Sequence, residues 1–189
     1  MRNNIFSHFK MPKSLNTFIL PSFLCLIFIT LNTQASGSMF DANDSEKWPQ
    51  VSNLGNADNR YLIKQVELID NLSRQRLGTL VRGNFGDIEL LQRIVYRGLI
   101  KRDNRQELQA MGVVLGNLMI QEKGLIWQVY EDEHGRSRAV CVAKTDQCLF
   151  PVTMLSRRMQ VGLIVNVQQV YDNAMSLIRP YLPKQPYGG

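Results

Sequence analysis

The chain has 189 residues, 44% hydrophobic and 20% charged, a globular composition that excludes a disordered, collagen-like or disulfide-scaffold protein. Its 22 basic and 16 acidic residues give a net charge of +6, but Arg2, Lys10 and Lys13 fall in a leader free of acids, leaving 19 against 16 for the remainder. That surplus is small and interleaved with acids, so no nucleic-acid partner is expected.

The leader is the first element. After its basic start comes an apolar run from Phe18 to Leu31, broken only by Pro21, Ser22 and Thr30. At about 14 residues it is short of the roughly 20 that a membrane span needs. Thr33-Gln34-Ala35 then places a small residue where a signal peptidase cuts. Residues 1–35 read as a secretory signal cleaved after Ala35 or after Gly37. Leu24 precedes Cys25 where a lipoprotein signal needs a small residue. The rest of the chain is thereby expected in the periplasm or outside the cell, with membrane contact only through the leader if it is kept as an anchor. Residues 36–55 read as a polar linker, rich in Ser, Asp and Asn, with Trp48 and Pro49 near its end.

One domain of roughly 125–130 residues is expected over 56–182. A first helix starts near Asn56 or Asp58, both good cap types, with Leu62, Val66, Ile69 and Leu72 inward and Gly78 as its stop. A second runs from about Asp87 to Ile100 and buries Leu91, Ile94, Val95 and Leu99. Asp103 and Asn104 offer a turn and cap for a third, from about Arg105 to Glu122, with Leu108, Met111, Leu115, Leu118 and Met119 as its stripe. Gly112 and Gly116, four apart on that helix, point to close backbone packing, because glycine otherwise costs helix stability.

The period then changes to two. Leu125, Trp127 and Val129 alternate with Ile126, Gln128 and Tyr130, predicting a half-buried strand. A two-residue turn at His134-Gly135 folds it back, so that Trp127 faces Val142, Val129 faces Val140 and Glu131 faces Arg138. Lys144 to Gln147 make a second turn, and a third strand from Cys148 to Val152 places Cys141 opposite Cys148 and Val140 opposite Leu149. The expected fold is α+β: a three-stranded antiparallel meander packed with helices and preceded by two or three N-terminal helices. After Pro151, Thr153 caps a short helix holding Met154, Leu155, Arg157 and Arg158. A last helix from Asn166 carries Val167, Val170, Tyr171, Ala174 and Ile178 and ends at Pro180. Residues 183–189 read as a flexible tail.

Few residues carry obvious chemistry. Cys25 leaves with the signal, so Cys141 and Cys148 are an even pair in an oxidising compartment and are read as a disulfide. His134 is the one histidine outside the leader and has no second Cys or His cluster beside it, so neither a metal centre nor an activated nucleophile is expected. No Gly-x-Ser-x-Gly elbow occurs, and Gly78, Gly83 and Gly86 lack phosphate-loop spacing. No catalytic residue and no cofactor is nominated. The cluster above background joins Glu131, Asp132 and Arg136 of the hairpin with Arg157 and Arg158 of the short helix. It reads either as an arginine–carboxylate lock between the two or as an anion or peptide site walled by Trp127 or Tyr130.

From Leu108 to Asp172 the chain resembles a bacterial family, the domain of unknown function 3806. The resemblance rests on Leu115-Gly116, on Gly124-Leu125 with Trp127, and on Glu131-Asp132-Glu133 with Gly135-Arg136. It continues through Leu149-Phe150-Pro151 with Thr153-Met154, Ser156-Arg157, and Tyr171-Asp172. It implies a helix, meander, helix order and no activity to carry over; the cysteine pair is not part of its pattern. The expected role is a non-catalytic binding or interaction module of the periplasm or cell envelope, whose partner is a protein or a small anionic or peptide ligand. The alternatives are an envelope hydrolase or transferase using Glu131 or Asp132 with Arg157, and a structural or assembly protein.

Overall fold

The computed structural model describes residues 48–121 and 124–183, all within the unit Asp44–Gly189. The predicted signal and its cleavage sites lie outside the described residues, as do most of the linker and most of the tail. The described part is α+β, a four-stranded antiparallel sheet in the order β1-β2-β3-β4 with helices packed against it. The strands are β1 (Gln50–Asn53), β2 (Leu125–Asp132), β3 (Gly135–Val142) and β4 (Cys148–Leu149).

The extra strand corrects the expectation of three. β1 comes from the end of the predicted polar linker and pairs antiparallel with β2, Gln50 opposite Glu131 and Asn53 opposite Gln128. Its sequence, Gln-Val-Ser-Asn, has one apolar side chain and so no period to read. Its pairing is supplied by the open edge of β2, and a short polar edge strand suffices for that.

The β2–β3 hairpin is also corrected. Asp132 pairs with Gly135, Glu131 with Arg136, Val129 with Arg138 and Trp127 with Val140, a slip of two residues from the predicted register. The turn residues are Glu133 and His134. Among the described residues Lys144 is the one non-glycine with positive φ, so neither turn residue has the backbone that a type I′ turn needs; Gly135, at φ 115°, closes the turn instead. Asp132 Oδ1 accepts the His134 N–H at 2.9 Å and holds the bend. A slip of two leaves every side chain on its predicted face. The second hairpin has the expected register, Val140 opposite Leu149 and Cys141 opposite Cys148, and the two cysteines are disulfide-bonded.

Helices α1 (Asn56–Leu77), α2 (Gly86–Tyr96) and α3 (Arg105–Met119) precede β2. The cap of α1 is Gly55, not Asn56 or Asp58; Asp58 sits in the first turn and reaches back to accept the Gly55 N–H at 3.1 Å. Gly78 ends α1 in the left-handed conformation, φ 64°. Asn104 caps α3 through its side chain, which accepts the Glu107 N–H at 3.2 Å. α3 is the axis of the core: Leu108, Met111, Val113, Val114, Leu115, Leu118 and Met119 are all buried, so the helix is covered nearly all round rather than on one stripe. Its two glycines are where neighbours come closest. A Cβ at Gly112 would lie 2.3 Å from the Pro151 carbonyl oxygen, and one at Gly116 would lie 2.3 Å from Cζ2 of Trp127.

The chain leaves β4 through Pro151, which opens α4 (Pro151–Met154), and continues into α5 (Ser156–Gln160). Phe150 is the residue before α4, and Thr153 lies inside it, its hydroxyl donating to the Phe150 carbonyl at 3.3 Å; Thr153 is therefore not the cap. Proline suits the first helical position because its missing N–H has no partner there anyway. α6 (Val167–Ile178) begins at Asn166, whose side chain accepts the Gln169 N–H at 3.0 Å. Gln92 of α2 ties that start in place, donating to the Val165 carbonyl at 2.9 Å and accepting the Val167 N–H at 2.7 Å.

Candidate functional site

The hairpin β2–β3 carries alternating arginines, Arg136 and Arg138, at the end of β3 remote from the apolar residues Val140 and Val142. Residues two apart on a strand share a face, and this face points at the first turn of α1. Asp58 there is buried and accepts from both. Arg136 binds it with two hydrogen bonds, Nη1 to Oδ1 at 3.0 Å and Nη2 to Oδ2 at 2.7 Å, and Arg138 Nη2 lies 2.9 Å from Oδ1. The Arg138 guanidinium carbon also stands 3.9 Å over the Tyr61 ring. The side chain of Asp58 is 4% exposed, those of Arg136 and Arg138 45% and 27%. The Arg136 hydrogen bonds, helped by the Gly55 N–H and the charge of Arg138, hold the Asp58 pKa down at about 2 against the opposing cost of burial. Arg136 is raised in turn, chiefly by the same hydrogen bonds. Burial raises Tyr61, with Arg138 opposing.

One carboxylate thus serves two guanidiniums, and their outer sides face a cleft of about 480 Å³. Its walls are Tyr61 of α1, Gln109 of α3, the hairpin from Asp132 and His134 to Arg138, Phe150 before α4, Val152 and Thr153 of α4, and Arg157 of α5. Arg157 is exposed, and its side chain makes no hydrogen bond or ion pair to the described residues. Three guanidiniums therefore border one concavity that contains one carboxylate on its lining, Asp132, whose Oδ1 is already taken by the turn.

The seven residues singled out from the sequence do not form one cluster. Asp132, Arg136 and Arg157 line the cleft. Tyr130 lies behind it, its ring edge-on to that of Phe150 at 5.1 Å. Glu131 stands across the hairpin from Arg136 and is not on the lining. Trp127 is not a wall: it is turned onto α3 against Gly116, and its Nε1 donates to Asn117 Oδ1 at 2.9 Å. Arg158, one residue along α5, is rotated by about 100° and returns to the Met154 carbonyl of its own chain segment. The expected lock between hairpin and short helix is likewise corrected, since the hairpin arginines are locked to α1 through Asp58. Tyr61, Arg138 and Phe150 were not anticipated. The Arg-x-Arg alternation on a strand was a readable signal for Arg138; Tyr61 and Phe150 reach the cleft by tertiary packing. Among the described residues no group of three or more His, Cys, Asp or Glu side chains is placed to hold a metal ion, and no helix is long and apolar enough to cross a membrane.

Known proteins place the fold but not the cleft. No curated protein matches the sequence significantly. A crystal structure of a protein from Bacteroides thetaiotaomicron VPI-5482 at 1.50 Å resolution is similar to this chain with a TM-score of 0.61 and 16% identity. The match covers 67% of this chain and 47% of that one, so the chain spans about half the length of its structural neighbour. At that identity the likeness is one of fold alone. The family model described as a domain of unknown function, DUF3806, matches residues 87–171. It begins at Asp87 rather than near Leu108 and so takes in α2, whose Ile88, Leu91 and Ile94 share the core with α3 and α6. Over residues 87–171 the chain is thus similar to the DUF3806 family, whose description assigns no function.

Proposed function

We propose that this protein is an exported, non-catalytic binding module of the periplasm or cell envelope, and that its ligand presents an anionic group to the arginine-bordered cleft. The observation that carries the reading is Arg157. It projects at a concavity it shares with Arg136 and Arg138 and has no acid of its own among the described residues. A guanidinium with free donors beside two that share one carboxylate is suited to a planar carboxylate or a phosphate. The Cys141–Cys148 bond is compatible with an oxidising compartment.

The enzymatic alternative gains less from the geometry. Glu131 is off the lining, and Asp132 spends an oxygen on its own turn. The assembly alternative looked to the apolar faces of the first two helices, and those faces are packed, with Leu62, Ile69, Ile88, Leu91 and Ile94 buried. The test is capture from the cell envelope of the source organism, using the exported protein and its Arg157→Ala variant. Capture should fall at least tenfold in the variant while its melting temperature stays the same, because no contact within the chain is lost. Equal capture by both, or turnover by the purified protein on a panel of ester, phosphate and glycoside substrates, would overturn the reading.

A further inference from the structure

β4 is two residues long and β3 is eight, so β4 covers only Val140 and Cys141 of its neighbour. From Gly135 to Ala139 the outer edge of β3 has no strand partner among the described residues. The direction of its backbone groups follows from one bond. The Val142 N–H donates outward to the Gln147 carbonyl at 2.9 Å, on the β4 side. Backbone groups alternate sides along a strand, so those of Val140, Arg138 and Arg136 also point outward, while those of Cys141, Ala139 and Ser137 serve β2. The close Cys141–Cys148 pair, 4.0 Å between Cα atoms, fits the narrow, non-hydrogen-bonded position that this alternation requires. The N–H and C=O of Arg136 and Arg138 therefore lie on an open edge, and that edge is a wall of the cleft, with Val152 and Arg157 beyond it.

An open edge recruits an extended chain, and the local charge selects which. Two copies of this edge would set Arg136 and Arg138 of each against those of the other, and like charges opposed across strands are unfavourable. Acidic side chains on an added strand would instead lie beside Arg136 and Arg138 and within reach of Arg157. We propose that the cleft binds an extended acidic peptide segment of a partner protein, which adds to the sheet as a strand along Arg136–Arg138. This rests on the anion-binding reading of the same cleft and specifies its ligand.

The experiment uses the disulfide-bonded exported protein and five capped octapeptides. The first alternates Glu with Val. The second and third have the same sequence with every other amide N-methylated, in one register or the other, the fourth replaces Glu by Lys, and the fifth replaces it by Gln. Binding is followed by titration calorimetry, and amide hydrogen exchange is read at Arg136 and Arg138. The Glu peptide should bind, slow exchange at both amides at least tenfold, and lose at least tenfold in affinity on N-methylation, on replacement of Glu, or with Arg157→Ala. Equal binding of the N-methylated peptides with unchanged exchange would overturn strand addition and leave anion capture standing. Failure of the Glu peptide to bind would also overturn it, and only joint loss of Arg157-dependent capture from the envelope would remove the broader reading as well.

Discussion

Asp58 offers the most quantitative test of how the hairpin is held. Its carboxyl titrates at about 2 in the folded chain against an ordinary 3.8, chiefly because Arg136 is hydrogen-bonded to it. At roughly 1.4 kcal/mol per pH unit the depression is worth about 2 kcal/mol of stability. The carboxyl is covered, but its two arginines are partly exposed, so solvent screens the pair and keeps the value below the roughly 3–5 kcal/mol typical of breaking a fully buried pair. Since the folded pKa is the lower one, this stabilisation is complete above about pH 4 and is lost as the pH falls towards and through 2. Asp58→Asn removes the titration and keeps an acceptor in the same place. Urea unfolding of parent and variant should therefore differ by about 2 kcal/mol at pH 6 and by a few tenths at pH 2. Other acids titrate in both proteins and cancel in the difference. A gap that is the same at both pH values, or absent at pH 6, would refute the assignment of Asp58 as the shared anchor of Arg136 and Arg138.

Other parts of the molecule give equally direct outcomes. Gly116→Ala and Gly112→Ala should each lower stability by about 3 kcal/mol or more, although alanine favours helix by about 1 kcal/mol, because the new Cβ meets the Trp127 ring or the Pro151 carbonyl; a rise in melting temperature in either variant would contradict that packing. Reducing Cys141–Cys148 opens a loop with a sequence separation of 7 and should cost about 2.5 kcal/mol in denaturant unfolding, the alkylated form unfolding earlier than the oxidised one. Asp87→Ala should destabilise by about 2 kcal/mol, since the buried carboxylate accepts the N–H groups of Arg82 and Gly83 at 2.7–3.2 Å and leaves them without it; unchanged exchange of those amides would show that the carboxylate does not hold the loop. Trp127→Phe removes the hydrogen bond to Asn117 and should cost about 1 kcal/mol beyond the change in ring size, measurable by a double-mutant cycle with Asn117→Ala.

Strong local signals translated directly into structure. Asn104 and Asn166 cap α3 and α6 because each carries a short side-chain acceptor just before an apolar period begins. The second hairpin kept its predicted register because four polar turn residues leave little freedom between Cys141 and Cys148. The first hairpin slipped because a single glycine is compatible with two turns, and the choice between them depends on the φ of its neighbours. β1 was missed because a strand stabilised almost wholly by an edge it borrows needs no pattern of its own.

The cleft shows the same division. That arginines and acids would crowd the tip of the hairpin was legible from spacing alone, as were the helices, the meander and the cysteine pair. Which acid the arginines choose was not: Glu131 and Asp132 are near in sequence, yet Asp58 holds them. A residue 78 positions away enters only when α1, packed on α3, brings its first turn against the hairpin. Local order depends on neighbours along the chain, which the amino-acid string states outright. Charge pairing and the length of strand left uncovered depend on distances across the fold, and these arise only when the elements are packed together.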